Sequence, residues 1–306
     1  MNSSSSAHPT FQDILRMLRV TQWTKNAVVL AAFFFGYWDK AQHIHVVPHL
    51  AIACGAALLF CFASSGIYIV NDLLDVEADR AHPTKRRRPI AAGRVAHGMA
   101  LRIAVVLLVG SLASALALSP RFLAALGGYV ALQLAYSAGL KRIALVDVFV
   151  IAGGFVLRAM SGALALKVVI SPWLLLCAFL LALFLALCKR RHEKLLMSDE
   201  GGDSRRSLES YDERLLDQLI AIIAAATIVS YSIYTLSAST ESKFGTTRLG
   251  FTIPFVIFGI FRYLDLVYRH EKGDRPEKIL LTDGPILVNL VLYAVCTIVI
   301  FLASSH

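Results

Sequence analysis

The stretch Asn71-Asp72-Leu73-Leu74-Asp75-Val76-Glu77-Ala78-Asp79-Arg80 follows directly on a long apolar run, Leu50 to Val70. If that run continues as a helix into the motif, Asn71, Asp75 and Asp79 recur every fourth residue and Asp72 lies three before Asp75, so all these side chains share one face. Carboxylates crowded at the mouth of a membrane helix repel one another and lose hydration, and a bound divalent cation is the usual compensation. A solvated helix end is the plainer alternative. Acids at a helix C-terminus, however, oppose the macrodipole, and an i, i+4 acidic ladder lacks the alternating signs of an ordinary solvated face. The spacing points to magnesium (Mg2+) carrying a diphosphate, with Asn71, Asp72, Asp75 and Asp79 as metal ligands.

The rest of the chain sets the motif in a membrane. Of 306 residues 57% are hydrophobic and only 17% charged, and the mean hydropathy is +0.64, beyond what a soluble core of this size requires. The expected class is an all-α integral membrane protein. About 20 apolar residues span a bilayer as a helix, which predicts nine spans near 26–38, 50–70, 98–118, 121–138, 145–165, 171–188, 214–237, 250–268 and 284–303. Residues 1–25 read as a cytoplasmic tail with an amphipathic lead-in, and 26–306 as a single membrane domain, since no Pro/Gly/Ser linker interrupts it.

With the N-terminus inside, segments 1–25, 71–97, 139–144, 189–213 and 269–283 hold 21 of the 30 Lys and Arg residues. The opposite loops hold five: Lys40, Arg121, Lys167, Lys243 and Arg248. The positive-inside rule then predicts an N-in, C-out protein, with the aspartate motif on the cytoplasmic side, where soluble anionic metabolites are found. The Ser-rich beginning lacks the charged lead and apolar core of a cleaved signal. Cys54, Cys61, Cys177, Cys188 and Cys296 fall in or beside apolar spans without metal-ligand spacing and read as small core residues. His43, His45 and His49 lie in an outer loop, far from the acids, and read as surface.

Immediately after the acids comes a basic block, Arg80 to Pro89. Arg80, Lys85 and Arg86 follow the presumed metal ligands closely enough to neutralise further phosphate oxygens, while Arg87 and Arg88 read at least as well as anchors on anionic lipid. The long loops 71–97 and 189–213 follow spans 2 and 6, a placement that hints at a faint internal duplication. In the second, Lys189 and Glu193 can share a helix face beside Arg190; Asp199 and Asp203 have the right spacing, but Gly201 and Gly202 between them favour a turn. Arg205, Arg206 and Tyr211 are equally suited to closing over a substrate or facing solvent. Arg158 inside span 5 must face the bundle interior, with Asp147 as a distant partner, as a site residue or as half of a structural ion pair. Trp23 reads as an interfacial anchor, while Lys25 and Asn26 could reach the cytoplasmic mouth.

The Asn71-Asp72-x-x-Asp75-x-x-x-Asp79 motif at the cytoplasmic end of span 2 resembles the UbiA superfamily of intramembrane prenyltransferases, and the resemblance covers nearly the whole chain. Within it the sequence looks most like the decaprenyl-phosphate phosphoribosyltransferase branch, through Gln22-Trp23-x-Lys25-Asn26, Tyr136-Ser137-x-x-Leu140-Lys141, Asp147 with Gly154-Phe155-Val156-x-Arg158, and Lys189-Arg190 before Glu193. The resemblance implies a helical bundle with a cytoplasm-facing polar cavity and a lateral opening for a lipid. Asp72, Asp75 and Asp79 would be catalytic, and Lys25, Asn71, Arg80, Lys85, Arg86, Tyr136, Lys141, Arg158, Lys189, Arg190 and Glu193 would contact substrate. The implied partners are phosphoribosyl pyrophosphate, a polyprenyl phosphate and the membrane itself; no nucleic acid is expected, and a homo-oligomer is left open.

The sequence departs from the superfamily where a second aspartate-rich motif is usual, after span 6, and offers Lys189, Arg190 and Glu193 instead. A prenyl diphosphate has one charged end, whereas phosphoribosyl pyrophosphate has a second in its 5-phosphate, which needs cations. A prenyltransferase acting on an aromatic or other lipid-soluble acceptor is the nearest competitor. A phosphatidyltransferase of CDP-alcohol type would call for a DGxxAR beginning, which Asp72-Leu73-Leu74-Asp75 lacks. A transporter would place its polar groups at mid-membrane, and most here lie on the cytoplasmic side. Replacing one motif carboxylate tests the metal reading: Asp75→Ala should abolish turnover while the purified protein keeps its helical circular dichroism, and retained activity would remove the motif from the chemistry.

Overall fold

The computed structural model describes residues 9–200, 211–269, 279 and 282–304, without the side chains of 196–200. The Ser-rich tail to residue 8, the Asp199 side chain, Asp203, Arg205, Arg206 and the charged stretch 273–278 lie outside the described residues. Every regular element among the described residues is helical. In chain order these are α1 (Phe11–Leu18), a 3₁₀ helix (Val20–Leu30), α2 (Ala31–Trp38), α3 (Val46–Leu74), α4 (Val76–Ala81), a 3₁₀ turn (Lys85–Arg87), α5 (His97–Leu118), α6 (Pro120–Ala138), a 3₁₀ turn (Leu140–Arg142), α7 (Val146–Leu166), α8 (Pro172–Glu200), α9 (Glu213–Leu236), α10 (Ala238–Phe244), a 3₁₀ turn (Arg248–Thr252), α11 (Ile253–Arg269) and α12 (Gly284–Ser304).

Seven stretches among the described residues are long and apolar enough to cross a membrane: Val46–Leu74, His97–Leu118, Val146–Leu166, Pro172–Leu195, Glu213–Leu236, Arg248–Arg269 and Gly284–Ser304. Their outer faces carry Val106, Val109, Ile222, Phe261, Val291 and Val299, large side chains that water would solvate poorly and lipid would cover. The other two expected spans are helical too. Residues 121–138 fall in α6, a continuous helix whose apolar sequence is broken by Gln133 and which carries Arg121 near its start, and 26–38 falls on the 3₁₀ helix as it runs into α2. One boundary differs from expectation: α8 continues past Cys188 to Glu200, so Lys189 to Lys194 extend a helix rather than opening a loop.

The chain divides into two compact units. Unit 1 holds residues up to Phe33, Val47–Leu140 and Leu157–Lys167. Its apolar centre is built on Phe60, Phe122, Leu126 and Tyr129, with a second cluster of Met17, Ile69, Ile90 and Val95 beneath the aspartate motif. Ser119 caps α6 by accepting the Phe122 N–H, and Pro120 supplies its first residue, so the antiparallel turn from α5 needs only one non-helical position. Unit 2 holds Phe34–Val46, Lys141–Val156 and Val168–His306. Phe184, Leu187, Leu216, Tyr263 and Leu266 form one cluster there, and Trp38 stacked on Phe301 anchors another.

Within unit 1 the 3₁₀ helix lies hard against α7. A Cβ on Gly162 would stand 2.1 Å from the Val29 carbonyl oxygen and 3.0 Å from its carbon, both backbone atoms that have no rotamer to yield. Gly162→Ala should therefore lower stability by about 1–3 kcal/mol, the usual cost of overpacking, measured as a lower midpoint of thermal unfolding in detergent; an unchanged midpoint would mean that the two backbones can separate freely.

Candidate functional site

In unit 1 the helix bearing the motif bends instead of running straight. α3 ends at Leu74, Asp75 takes φ −100° and ψ 13°, and α4 begins at Val76. Helical hydrogen bonding persists across the bend, with Asp75 N–H on the Asn71 carbonyl at 3.0 Å and Asp79 N–H on the Asp75 carbonyl at 2.8 Å. Asp72 and Asp79 are buried, each 3% exposed, while Asn71 and Asp75 are half-buried. One arginine nitrogen joins the two buried acids: Arg88 Nη1 donates to Asp72 Oδ1 at 3.0 Å and to Asp79 Oδ2 at 2.6 Å. Arg19 Nη2 donates to the same Asp72 Oδ1, and its guanidinium lies over the Tyr68 ring, 4.7 Å from the centroid.

This changes the reading of the basic block. Arg88, which read at least as well as a lipid anchor, neutralises the motif because Pro89, Ile90 and Ala91 are buried and turn it inward. Arg80 is exposed and donates through Nε to the Ala91 carbonyl at 3.2 Å, bracing the loop; Lys85 is half-buried and Arg86 exposed. Arg19 was not legible from spacing, since 53 residues separate it from Asp72.

The lead-in helix holds Arg19 in place. Thr10 and Asp13 form a reciprocal cap on α1, and Asp13 also accepts from Arg94 Nε at 2.7 Å. Arg94 in turn donates to the Arg87 carbonyl at 2.8 Å, so α1 and the basic loop are tied together. Arg19 then takes a left-handed backbone, φ 51° and ψ 46°, which turns the chain from α1 into the 3₁₀ helix. Trp23, expected at the interface, donates to Ser65 Oγ at 3.1 Å, and Ser65 donates to the Leu18 carbonyl at 2.7 Å.

Deeper in unit 1, Arg158 is enclosed by polar atoms. Its Nε donates to Asn26 Oδ1 at 2.8 Å, its Nη2 to the Tyr129 hydroxyl at 2.6 Å, and its guanidinium lies over the Tyr129 ring. Asn26 is oriented by Nδ2 contacts of 3.3 Å to Ser64 Oγ and Cys61 Sγ. Lys25 Nζ donates to Gln22 Oε1 at 3.4 Å. Tyr136 is half-buried near the end of α6.

Unit 2 carries a second buried ionic group. Asp147, named from sequence as a distant partner of Arg158, is instead held by Arg190 Nε on Oδ2 at 2.6 Å and by the Tyr211 hydroxyl on Oδ1 at 2.7 Å. Arg190 is 2% exposed and donates from Nη1 to Glu193, while Lys189 Nζ lies 3.8 Å from Glu193 Oε1 with its side chain 40% exposed. Tyr211 also receives the N–H of Leu145, whose φ is 66°, at 2.7 Å. Burial, then the hydrogen bond to Asp147, holds the Tyr211 hydroxyl protonated well above its ordinary range. Tyr211 is thus a buried strut that does not face solvent. Lys141 is buried in the 3₁₀ turn that precedes α7.

Among the described residues no three His, Cys, Asp or Glu side chains converge into an all-protein metal cage. The motif still suits magnesium: its donors are hard oxygens, Arg88 shows Asp72 and Asp79 to be within one nitrogen's reach, and magnesium commonly takes one or two carboxylates plus substrate phosphates.

A profile of the UbiA prenyltransferase family matches residues 28–282. The chain belongs to this family. It is 38% identical over 288 residues to a decaprenyl-phosphate phosphoribosyltransferase of Corynebacterium glutamicum, spanning 93% of this chain and 85% of that one. It is 37% identical over 289 residues to the enzyme of the same name from Mycolicibacterium smegmatis, spanning 88% and 86%. The UbiA fold is seen directly in the likeness to a UbiA homolog from Archaeoglobus fulgidus bound to GPP and Mg2+, with a TM-score of 0.70 at 18% identity over 94% of this chain and 99% of that one.

The Asp13 contacts give the unit 1 site a pH dependence. Hydrogen bonds from Thr10 first, then Arg94, hold its carboxyl below the usual range. The stabilisation is complete above the ordinary carboxylate value of about 4 and is lost as pH falls through the lowered one. Asp13→Asn should therefore unfold at lower temperature than the parent protein at pH 7, with the difference shrinking only below about pH 4; a gap independent of pH would show that charge plays no part.

Proposed function

We propose that this chain transfers the phosphoribosyl group of phosphoribosyl pyrophosphate to a polyprenyl phosphate of decaprenyl type, releasing pyrophosphate. The observation that carries the reading is the similarity to enzymes of that name along 93% and 88% of the chain. In this reading residues 26–306 work as one catalytic domain of nine spans, N-in and C-out in a bacterial inner membrane, with a polar cavity open to the cytoplasm. The positive-inside bias of the loops supports that orientation.

The reaction breaks the bond from the ribose anomeric carbon to pyrophosphate and forms one from the same carbon to an oxygen of the polyprenyl phosphate. Asn71, Asp72, Asp75 and Asp79 would hold magnesium, which when bound neutralises charge on the departing pyrophosphate. Arg88, with Lys85 and Arg86 on the same loop and Lys25 on the 3₁₀ helix, offers further cations to its oxygens. The acceptor phosphate is already an anion and needs no strong general base, so positioning and leaving-group stabilisation supply most of the acceleration. Tyr136, Lys141 and Arg158 complete the substrate-contacting set.

The donor's 5-phosphate is assigned to Lys189. Arg190 is buried between Asp147 and Glu193, so its part is to fix this turn of α8, and Lys189 beside it is the more exposed cation. Purified protein in detergent with magnesium should move label from phosphoribosyl pyrophosphate into polyprenyl phosphate and should not prenylate 4-hydroxybenzoate from a prenyl diphosphate. The opposite result would make it a conventional prenyltransferase, and inactivity with both would return the transporter reading. Lys189→Ala should raise the KM for phosphoribosyl pyrophosphate about tenfold, the worth of one charge-assisted phosphate contact, and leave that for the lipid nearly unchanged; equal effects on both would refute the 5-phosphate assignment.

A further inference from the structure

We propose that Arg19 is an exchangeable counter-ion: it competes with a divalent cation for Asp72 and, once displaced, binds the pyrophosphate carried by that cation. This rests on the metal-diphosphate reading of the motif and adds a residue that neither the motif nor its spacing identifies.

The argument begins with one oxygen. Asp72 Oδ1 receives both Arg19 Nη2 and Arg88 Nη1. A cation ligated through Oδ1 must displace at least one of the two, and one ligated through Oδ2 would sit beside both guanidinium charges and be repelled by them. The two arginines are not equally free to leave. Arg88 holds a second carboxylate through Asp79 Oδ2 at 2.6 Å, so it remains attached to the motif when Asp72 is withdrawn, while Asp79 can ligate through its other oxygen. Among the described residues the Arg19 side chain bonds to one polar side chain, Asp72, and beyond it lies over the face of Tyr68.

The backbone limits where Arg19 can go. Its Cα is fixed by the left-handed turn between α1 and the 3₁₀ helix, by the Gln22 N–H on its own carbonyl at 2.8 Å, and by the neighbouring Leu18 carbonyl on Ser65. The side chain can therefore swing without the main chain leaving the motif. Tyr68, one turn before Asp72 on α3, gives the guanidinium a resting surface beside the acids rather than a path to bulk solvent. A diphosphate carried by that cation would present anionic oxygens beside the motif, and a planar fork of donors suits them. The charge of the site is then balanced both before and after loading: arginine on carboxylate becomes metal on carboxylate and arginine on phosphate.

The exchange predicts opposite changes in two binding constants, which a bracing role does not. With Mn2+ as the probe, followed by the loss of free-ion EPR signal in nanodiscs, Arg19→Gln should bind Mn2+ alone about fivefold more tightly than the parent protein, the factor a partly screened ion pair is worth. In saturating Mn2+ the same variant should bind phosphoribosyl pyrophosphate at least fivefold more weakly, and Arg19→Lys should lie between the two in both titrations. Unchanged or weaker Mn2+ binding in a variant that retains the parent's tryptophan emission would overturn the proposal, as would unchanged binding of phosphoribosyl pyrophosphate. Should Arg19→Gln fail to fold, Arg19→Lys decides on the same two constants. If the parent protein takes up no Mn2+ with or without phosphoribosyl pyrophosphate, the metal-motif reading fails first and the exchange with it, an outcome distinct from failure of the exchange alone.

Discussion

Two carboxylates, Asp72 and Asp79, are buried at the end of an apolar helix, and their charge must be balanced there. Left alone, such a pair would protonate or draw water into the bundle, because an unpaired buried charge costs several kcal/mol. Arg88 and Arg19 provide the balance from opposite directions in sequence, one from the loop that follows the motif and one from the helix that precedes the first span. The local architecture of unit 1 follows from bringing these two guanidinium groups to one place. α1 is capped and tied to the basic loop, Arg19 accepts a left-handed backbone costing about 1–2 kcal/mol, and Met17, Ile69, Ile90 and Val95 pack beneath the acids.

Unit 2 solves a similar problem with different residues. Asp147 is fully buried and receives Arg190 and Tyr211, and Arg190 reaches on to Glu193. Arg190 is therefore locked at this end of α8, while Lys189 beside it pairs with Glu193 at 3.8 Å and keeps a side chain 40% exposed.

Much of this was legible beforehand because membrane residence makes strong demands on composition. Apolar runs of bilayer length located the helices to within a few residues, the C-terminal end of α8 excepted, and a cluster of acids beside one such run singled out the motif proposed to act. The branch within the family was legible too, since Lys189 and Arg190 stand where acids would be expected. Errors arose wherever a polar residue had to choose among partners. Arg88 was left open between lipid anchor and site because Arg86 and Arg87 beside it look the same in sequence; only the buried Pro89-Ile90-Ala91 turn distinguishes it. Asp147 was given to Arg158 by proximity along α7, whereas each residue bonds to partners on other elements.

The sequence by itself determined the all-helical membrane class, the place of the acidic motif and the kind of charge it would meet, because helix periodicity and hydrophobic length are local properties. Tertiary structure alone decided which arginine neutralises which aspartate, that Tyr211 is a strut, and that Arg19 reaches Asp72 across 53 residues. Side chains with the same charge and reach are equivalent along a chain. They become different only when packing has fixed how far each lies from its partner and how much water is left between them.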